Sequence, residues 1–219
     1  MKVHTGLMSN HWDEVYDTRP IDAVSWYELE PVVSLELGEA LGVTSDDAVL
    51  DVGAGASLYV DHLLRRGYHD LTVLDVSASA VQTLLARVAC PLVRAVVSDV
   101  TNWETSRTFD VWHDRAVLHF ISPERRALYF ATLRRALSAH GAVIIGVFAP
   151  DGPTTCSGLS VTRYDAEGIM ELLGDEFDLV EERRTVHVTP WGAPQSFQWV
   201  AARRGRQASS LSLLRPPGD

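Results

Sequence analysis

"AVLDVGAGASLYVDHLLRRG", Ala48 to Gly67, runs from a β-branched apolar stretch through a glycine turn into a helical pattern. Gly53 and Gly55 lack the side chains that would block a tight turn or keep a ligand away from the backbone. The three-glycine fingerprint that cradles a pyrophosphate would carry its last glycine where Leu58 stands, which weakens a dinucleotide reading of this turn.

Outward from this turn the same grammar repeats. "AVLDV", "LTVLDV", "VRAVVSDV", "FDVWHD" and "AVIIGVF" are apolar strand-like runs. Helical patterns over Leu58 to Arg66, Ser77 to Ala89 and Pro123 to Ala139 separate most of them, and Gly141 is expected to end the last helix. Strands alternating with helices predict a parallel sheet covered on both faces. "PVVSLELGEALG" from Pro31 predicts a further helix ahead of the first strand. After Gly174, "EFDLVEERRTVHVTP" and "QSFQWVAARR" flank the turn "PWGAP" with no helix between them, so they predict an antiparallel hairpin. The expected fold is a single α/β, Rossmann-like doubly wound sheet of seven strands, mostly parallel with an antiparallel C-terminal hairpin. Residues 1–30 are expected to form a covering segment, residues 31–204 the domain, and residues 205–219 a flexible tail rich in Ser, Gly and Pro.

The 219 residues are 46% hydrophobic and 22% charged, an ordinary globular balance. With 19 basic and 29 acidic residues the net charge is −10, which argues against nucleic acid and anionic membrane as partners. Cys90 and Cys156 stand far apart without metal-ligand spacing, so neither a disulfide framework nor a metal site is expected. No apolar run reaches the length of a membrane span, and the N-terminus lacks a signal-peptide core, so a cytoplasmic protein is expected.

In such a sheet the ligand lies beyond the carboxyl ends of the strands. There Asp51 stands on the first strand ahead of the glycines, and the loops carry Gly53, Ala54 and Gly55 after the first strand, Asp75 and Val76 after the second, and Asp99 and Val100 after the third. Asp75 suits the hydroxyls of an adenosine ribose, and Asp99 and Val100 suit an adenine. Asp51 suits an amino-acid ammonium, which S-adenosylmethionine has and a nicotinamide dinucleotide lacks.

With these residues in order, the chain resembles the class I, seven-β-strand S-adenosylmethionine-dependent methyltransferases. "VLDVGAGAS" is similar to their first motif, "VLDVS" to the ribose loop, "SDVTNW" to the adenine loop, and "FDVWHDRAVLHFI" to the strand leading to the active site. The resemblance implies S-adenosyl-L-methionine as cofactor, S-adenosyl-L-homocysteine as product, and transfer of the methyl group by in-line displacement to an O, N or S nucleophile. In that setting Trp26 is expected over the sulfonium, His113 beside the cofactor, and His113 or His119 as the base. Tyr27, Asp114, Arg115, Cys156, Arg163 and Tyr164 are expected on the acceptor side, Asp114 and Arg115 either paired with each other or binding a charged substrate. Trp12 and Tyr16 read as a small satellite core.

The order of motifs also resembles the lysine methyltransferases of elongation factor 1A and citrate synthase. Ala116 and His119 depart from their Asp-Lys-Gly and later Asp. A small-molecule acceptor is therefore the first expectation and a protein lysine the second. A nicotinamide-binding oxidoreductase or a non-catalytic adenosyl-binding module is the reading from another class. The protein is expected to be a monomer or homodimer.

Overall fold

Four residues of the first strand, Val49 to Val52, are buried on both faces, and they lie inside the sheet around which the molecule is organised, flanked by a strand on each side. The computed structural model describes residues 2–205, with side chains from residue 8 onward. Apart from Gly205, the expected flexible tail lies outside the described residues. The N-terminal segment holds a helix, α1 (Lys2–Thr18), that the sequence reading treated only as a cover.

The chain continues through α2 (Val32–Ala40), β1 (Val49–Val52), α3 (Tyr59–Arg65), β2 (Leu71–Asp75), α4 (Ala78–Val88), β3 (Val93–Val97), β4 (Phe109–Arg115), α5 (Arg126–Ala136) and β5 (Leu137–Phe148). A short ribbon, β6 (Thr155–Cys156) with β7 (Leu159–Ser160), precedes α6 (Ala166–Leu173) and the hairpin β8 (Phe177–Val188) and β9 (Pro194–Arg204). The main sheet has seven strands in the order β3-β2-β1-β4-β5-β9-β8. Pairing is parallel from β3 through β5 and antiparallel for β9 and β8, as the hairpin signal predicts.

Helices cover both faces because both faces are apolar. Tyr129 and Leu133 of α5 and Ile169 and Leu173 of α6 pack on one side. Leu37 of α2, Val60 and Leu63 of α3 and Leu84 of α4 pack on the other. The expected helix through Ala139 is a correction: α5 ends at Ala136, and Gly141 lies inside β5. Leu137 is buried and pairs with Phe109, so strand pairing takes over from helix propensity there.

The strand order reverses between β1 and β4, which opens a crevice beyond their carboxyl ends. Helix α1 lies across this opening and is tied down at its far side. Asp13 accepts from the Ser77 hydroxyl at 2.7 Å and from Ser79 N–H at 3.1 Å, and Ser77 is itself the N-cap of α4.

Candidate active site

The glycine turn is closed by its neighbours. Gly53 (φ +64°) and Gly55 (φ +54°) are both left-handed. A Cβ on Gly53 would lie 1.9 Å from Val117 Cγ2, and one on Gly55 would lie 2.1 Å from the Tyr16 hydroxyl. The turn therefore sits directly beneath a residue following β4 and a residue of α1.

Two adjoining recesses open around this turn, sharing Tyr16, Trp26, Gly53 and Arg115 in their walls. The larger runs from the ends of β2 and β3 to the ends of β5 and β9. At its first end are Asp75, Val76, Asp99 and Val100, the residues expected there. Asp75 accepts from Gly55 N–H at 2.7 Å and from Ser77 N–H at 2.8 Å. Burial outweighs these bonds and pushes its carboxyl up to about 6. Asp99 is differently committed: it pairs with Arg125 at 2.7 Å and accepts from the Thr101 hydroxyl at 2.7 Å. Arg125, a wall residue absent from the sequence expectations, lies in an ordinary "SPERR" helix start with nothing to mark it.

The smaller recess holds Asp51, Ala54 and His113. Parallel pairing sets Asp51 of β1 beside His113 of β4, and the two join at 2.7 Å through Nδ1. The other ring nitrogen of His113 meets the Ser34 hydroxyl of α2 at 2.9 Å, and Tyr59 stacks on the ring at a centroid distance of 4.0 Å. Both nitrogens of His113 are thus engaged. Asp51 Oδ2, by contrast, is buried with no hydrogen-bond partner among the described residues.

His119 is corrected by its surroundings. It is fully buried and absent from the walls of both recesses, and its Nδ1 accepts from Phe148 N–H at 3.3 Å. Burial, aided by the nearby charge of Arg115, pulls its imidazole down to about 3. Asp114 is likewise internal: it accepts from Val117 and Leu118 N–H at 2.7 and 3.0 Å and from the Tyr129 hydroxyl at 2.5 Å. Its oxygens are taken up by the turn after β4 and by Tyr129, and it is absent from the walls of both recesses. Its carboxyl is pushed up to about 6 by burial.

Arg115 does not pair with Asp114. It reaches the covering segment, meeting Glu28 at 2.9 Å and donating to the Trp26 carbonyl at 2.8 Å. His187 of β8 holds the same segment through the Ser25 carbonyl at 2.7 Å. Burial opposes the charge on Glu28, yet His187 and Arg115 hold its carboxyl below the ordinary range.

At the second end of the larger recess lie Cys156, Gln195, Phe148 and Phe197. The Cys156 thiol is pushed up by burial and lies 3.9 Å from the Ser25 hydroxyl, which leaves it a poor nucleophile. Tyr27 lines only the smaller recess. Arg163 and Tyr164 are corrections: Arg163 is exposed and donates to the Pro150 carbonyl, while Tyr164 is buried in the core against α5 and α6. Trp12 and Tyr16, expected as satellite core, instead line the larger recess with Trp26, Trp12 edge-on to Trp26 at 5.6 Å. Helical spacing does not distinguish a residue covering a cavity from one covering a core, so the sequence carried no signal for this.

Ala116, also in the wall, is held at φ +73°, a conformation natural to glycine. Ala116→Gly is expected to relieve about 1 kcal/mol of backbone strain and raise Tm by a few degrees. An unchanged or lowered melting temperature in calorimetry would count against that strain.

A methyltransferase-domain family profile matches residues 49–141. EEF1A lysine methyltransferase 2 of Danio rerio is 27% identical over 157 residues, covering 67% of this chain and 61% of that protein. The chain thus spans about three-fifths of that relative. The Homo sapiens protein of the same name is 25% identical over 197 residues, covering 80% of this chain and 76% of the relative. Among solved structures, 1,6-didemethyltoxoflavin-N1-methyltransferase of Burkholderia thailandensis, with 1,6-didemethyltoxoflavin and S-adenosylhomocysteine bound, superposes with a TM-score of 0.68. It is 23% identical, with 93% of this chain and 87% of that one covered. The N-methyltransferase NodS of Bradyrhizobium japonicum, in complex with S-adenosylhomocysteine, gives 0.67 at 16% identity, covering 89% and 98%.

Proposed function

We propose that this chain is a class I S-adenosylmethionine-dependent methyltransferase that moves a methyl group to a small-molecule acceptor held where β4 and β5 end and β9 begins. One observation carries the choice of acceptor. That end of the cavity is walled by aromatic rings, and Arg115 there is already paired with Glu28, so among the described wall residues at that end no carboxylate stands ready to receive a lysine ammonium.

The residues fit the cofactor. The buried, unpartnered Asp51 Oδ2 is a natural acceptor for an ammonium group, since an orphaned buried carboxylate oxygen costs free energy until something donates to it. Asp75 retains acceptor capacity for ribose hydroxyls beside its two backbone donors. Val100 would pack on the adenine, and Asp99, paired with Arg125, would take its amino group. When bound, S-adenosylmethionine supplies a methyl carbon already activated by its sulfonium, and S-adenosylhomocysteine is what remains. The chain's own task is then alignment and exclusion of water, which α1 and Trp26 perform from above. His113 is held between Asp51 and Ser34 in the smaller recess and His119 lies outside both recesses, so neither ring is placed at the acceptor end. The acceptor accordingly enters with an available lone pair.

Asp75→Ala removes charge-assisted hydrogen bonds of about 1.5–3 kcal/mol each, so S-adenosylhomocysteine affinity should fall at least about tenfold by calorimetry. Because the carboxyl titrates at about 6 and only the anion accepts both hydroxyls, wild-type affinity should also rise between pH 5 and 7. A flat pH profile with unchanged Asp75→Ala affinity would put the ribose elsewhere.

The curated relatives are lysine methyltransferases, and that keeps a protein lysine as the second reading. Incubation of host lysate with the enzyme and methyl-tritiated S-adenosylmethionine separates the two. Label in the small-molecule fraction is expected, and label confined to protein lysine would replace this proposal with the second reading. Tight NADH binding without S-adenosylhomocysteine binding would remove both.

A further inference from the structure

Strand β9 carries two glutamines with opposite fates. Gln198 donates to the carbonyls of Arg183 and Trp199 at 3.4 and 3.1 Å, so its amide belongs to the sheet. Gln195 is also buried, at 9% exposure, yet its side-chain amide makes no hydrogen bond among the described residues. It lines the larger recess, on the same face of β9 as Phe197 two positions on.

The Gln195 amide stands in the wall of the recess with donor and acceptor uncommitted, so a ligand there can use both. The walls around Gln195 narrow the ligand's shape. Phe148 and Phe197 stand edge to face at 5.0 Å, and Trp12 meets Phe120 at 5.2 Å in the same manner. Such rings favour a flat apolar body. The charge is narrowed as well, because the nearby Arg115 is already neutralised by Glu28.

We infer that Gln195 is the acceptor-recognition residue, reading a neutral planar heterocycle through an adjacent ring N–H and carbonyl, the edge a lactam presents. One amide offers an N–H donor and a carbonyl acceptor side by side, so it can pair with that edge through two parallel hydrogen bonds. The inference rests on the small-molecule reading above and adds the chemistry of the acceptor. Gln195 sets which acceptor enters, and the cofactor contacts at the far end of the cavity do not involve it.

The test titrates 2-quinolone and 2-methoxyquinoline, which share a ring system but differ in the N–H and carbonyl edge, into the protein with and without saturating S-adenosylhomocysteine. Wild type should bind 2-quinolone at least about tenfold more tightly, the equivalent of about 1.4 kcal/mol. Gln195→Leu should bring the two probes within about twofold while leaving S-adenosylhomocysteine affinity unchanged. Gln195→Met serves in its place if the leucine variant does not fold. Equal affinities in wild type, a preference that survives in both variants, or no binding of either probe would overturn the inference. Loss of the preference alone, with S-adenosylhomocysteine still bound, leaves the methyltransferase reading intact. Absent S-adenosylhomocysteine binding removes that reading, while the lactam preference of the free protein still reports on Gln195.

Discussion

Gly53→Ala is expected to lower Tm by about 5–15 °C and to reduce S-adenosylhomocysteine affinity more than any single charge removal in the site. Two effects add. At φ +64° an L side chain meets backbone strain of about 1–2 kcal/mol. The new Cβ would also lie 1.9 Å from Val117 Cγ2, and a β-branched side chain has little rotamer freedom with which to withdraw. Overpacking of that kind costs about 1–3 kcal/mol, and the displacement falls on the turn that faces the cofactor. Val117→Ala on the same background should recover the packing share and leave the backbone share, a coupling a double-mutant cycle reads directly. Purely additive losses would mean that Val117 is not what closes the turn.

His119→Asn is expected to make the protein markedly more acid-resistant while leaving turnover within about threefold of wild type. The buried imidazole has its folded value pulled down to about 3, from 6.5 when unfolded. A basic group depressed in this way contributes stability that is present above pH 6.5 and lost as pH falls towards 3, because the unfolded chain binds the extra proton. The full loss is about 5 kcal/mol, a large fraction of a domain's stability. Asp75 and Asp114 act with the opposite sign. Their raised values, both about 6, make the folded chain the better proton binder between about pH 4 and 6, so their contribution is present at low pH and lost as pH rises through 6. Wild type therefore carries a partial cancellation between pH 4 and 6 that the variant lacks. Urea unfolding from pH 3.5 to 7 should show the variant gaining on wild type as pH falls. Parallel curves would contradict the assigned burial of a neutral His119, and a collapse of turnover at pH 7 would restore it as a catalytic group.

The regions legible from sequence are those where one local rule dominates. β-branched runs separated by helical patterns determine a parallel sheet, because buried strands need two apolar faces and parallel connections need crossovers. The uninterrupted run after Gly174 determines the antiparallel hairpin, and glycines between a strand and a helix mark a turn whose φ values are positive. Asp75, Asp99 and their neighbours are found at the cavity because strand ends in this topology converge on one crevice. The end of α5 was not legible, since whether residues 137–141 continue a helix depends on Phe109, many residues away.

For side chains at and just after the end of the fourth strand, sequence determined which residues stand near the site, and only tertiary structure decided which of them face it. His113, Asp114, Arg115 and His119 fall within seven consecutive residues, yet one orders Asp51, one braces a turn, one holds the covering segment and one is sealed in the core. Trp12, Tyr16, Arg125 and Gln195 reach the same cavity from α1, the start of α5 and β9. Their chemistry is set by what packs against them across long sequence separations. Periodicity along a chain records which face of an element is apolar, whereas a cavity wall and a core contact look alike until the opposing element is in place.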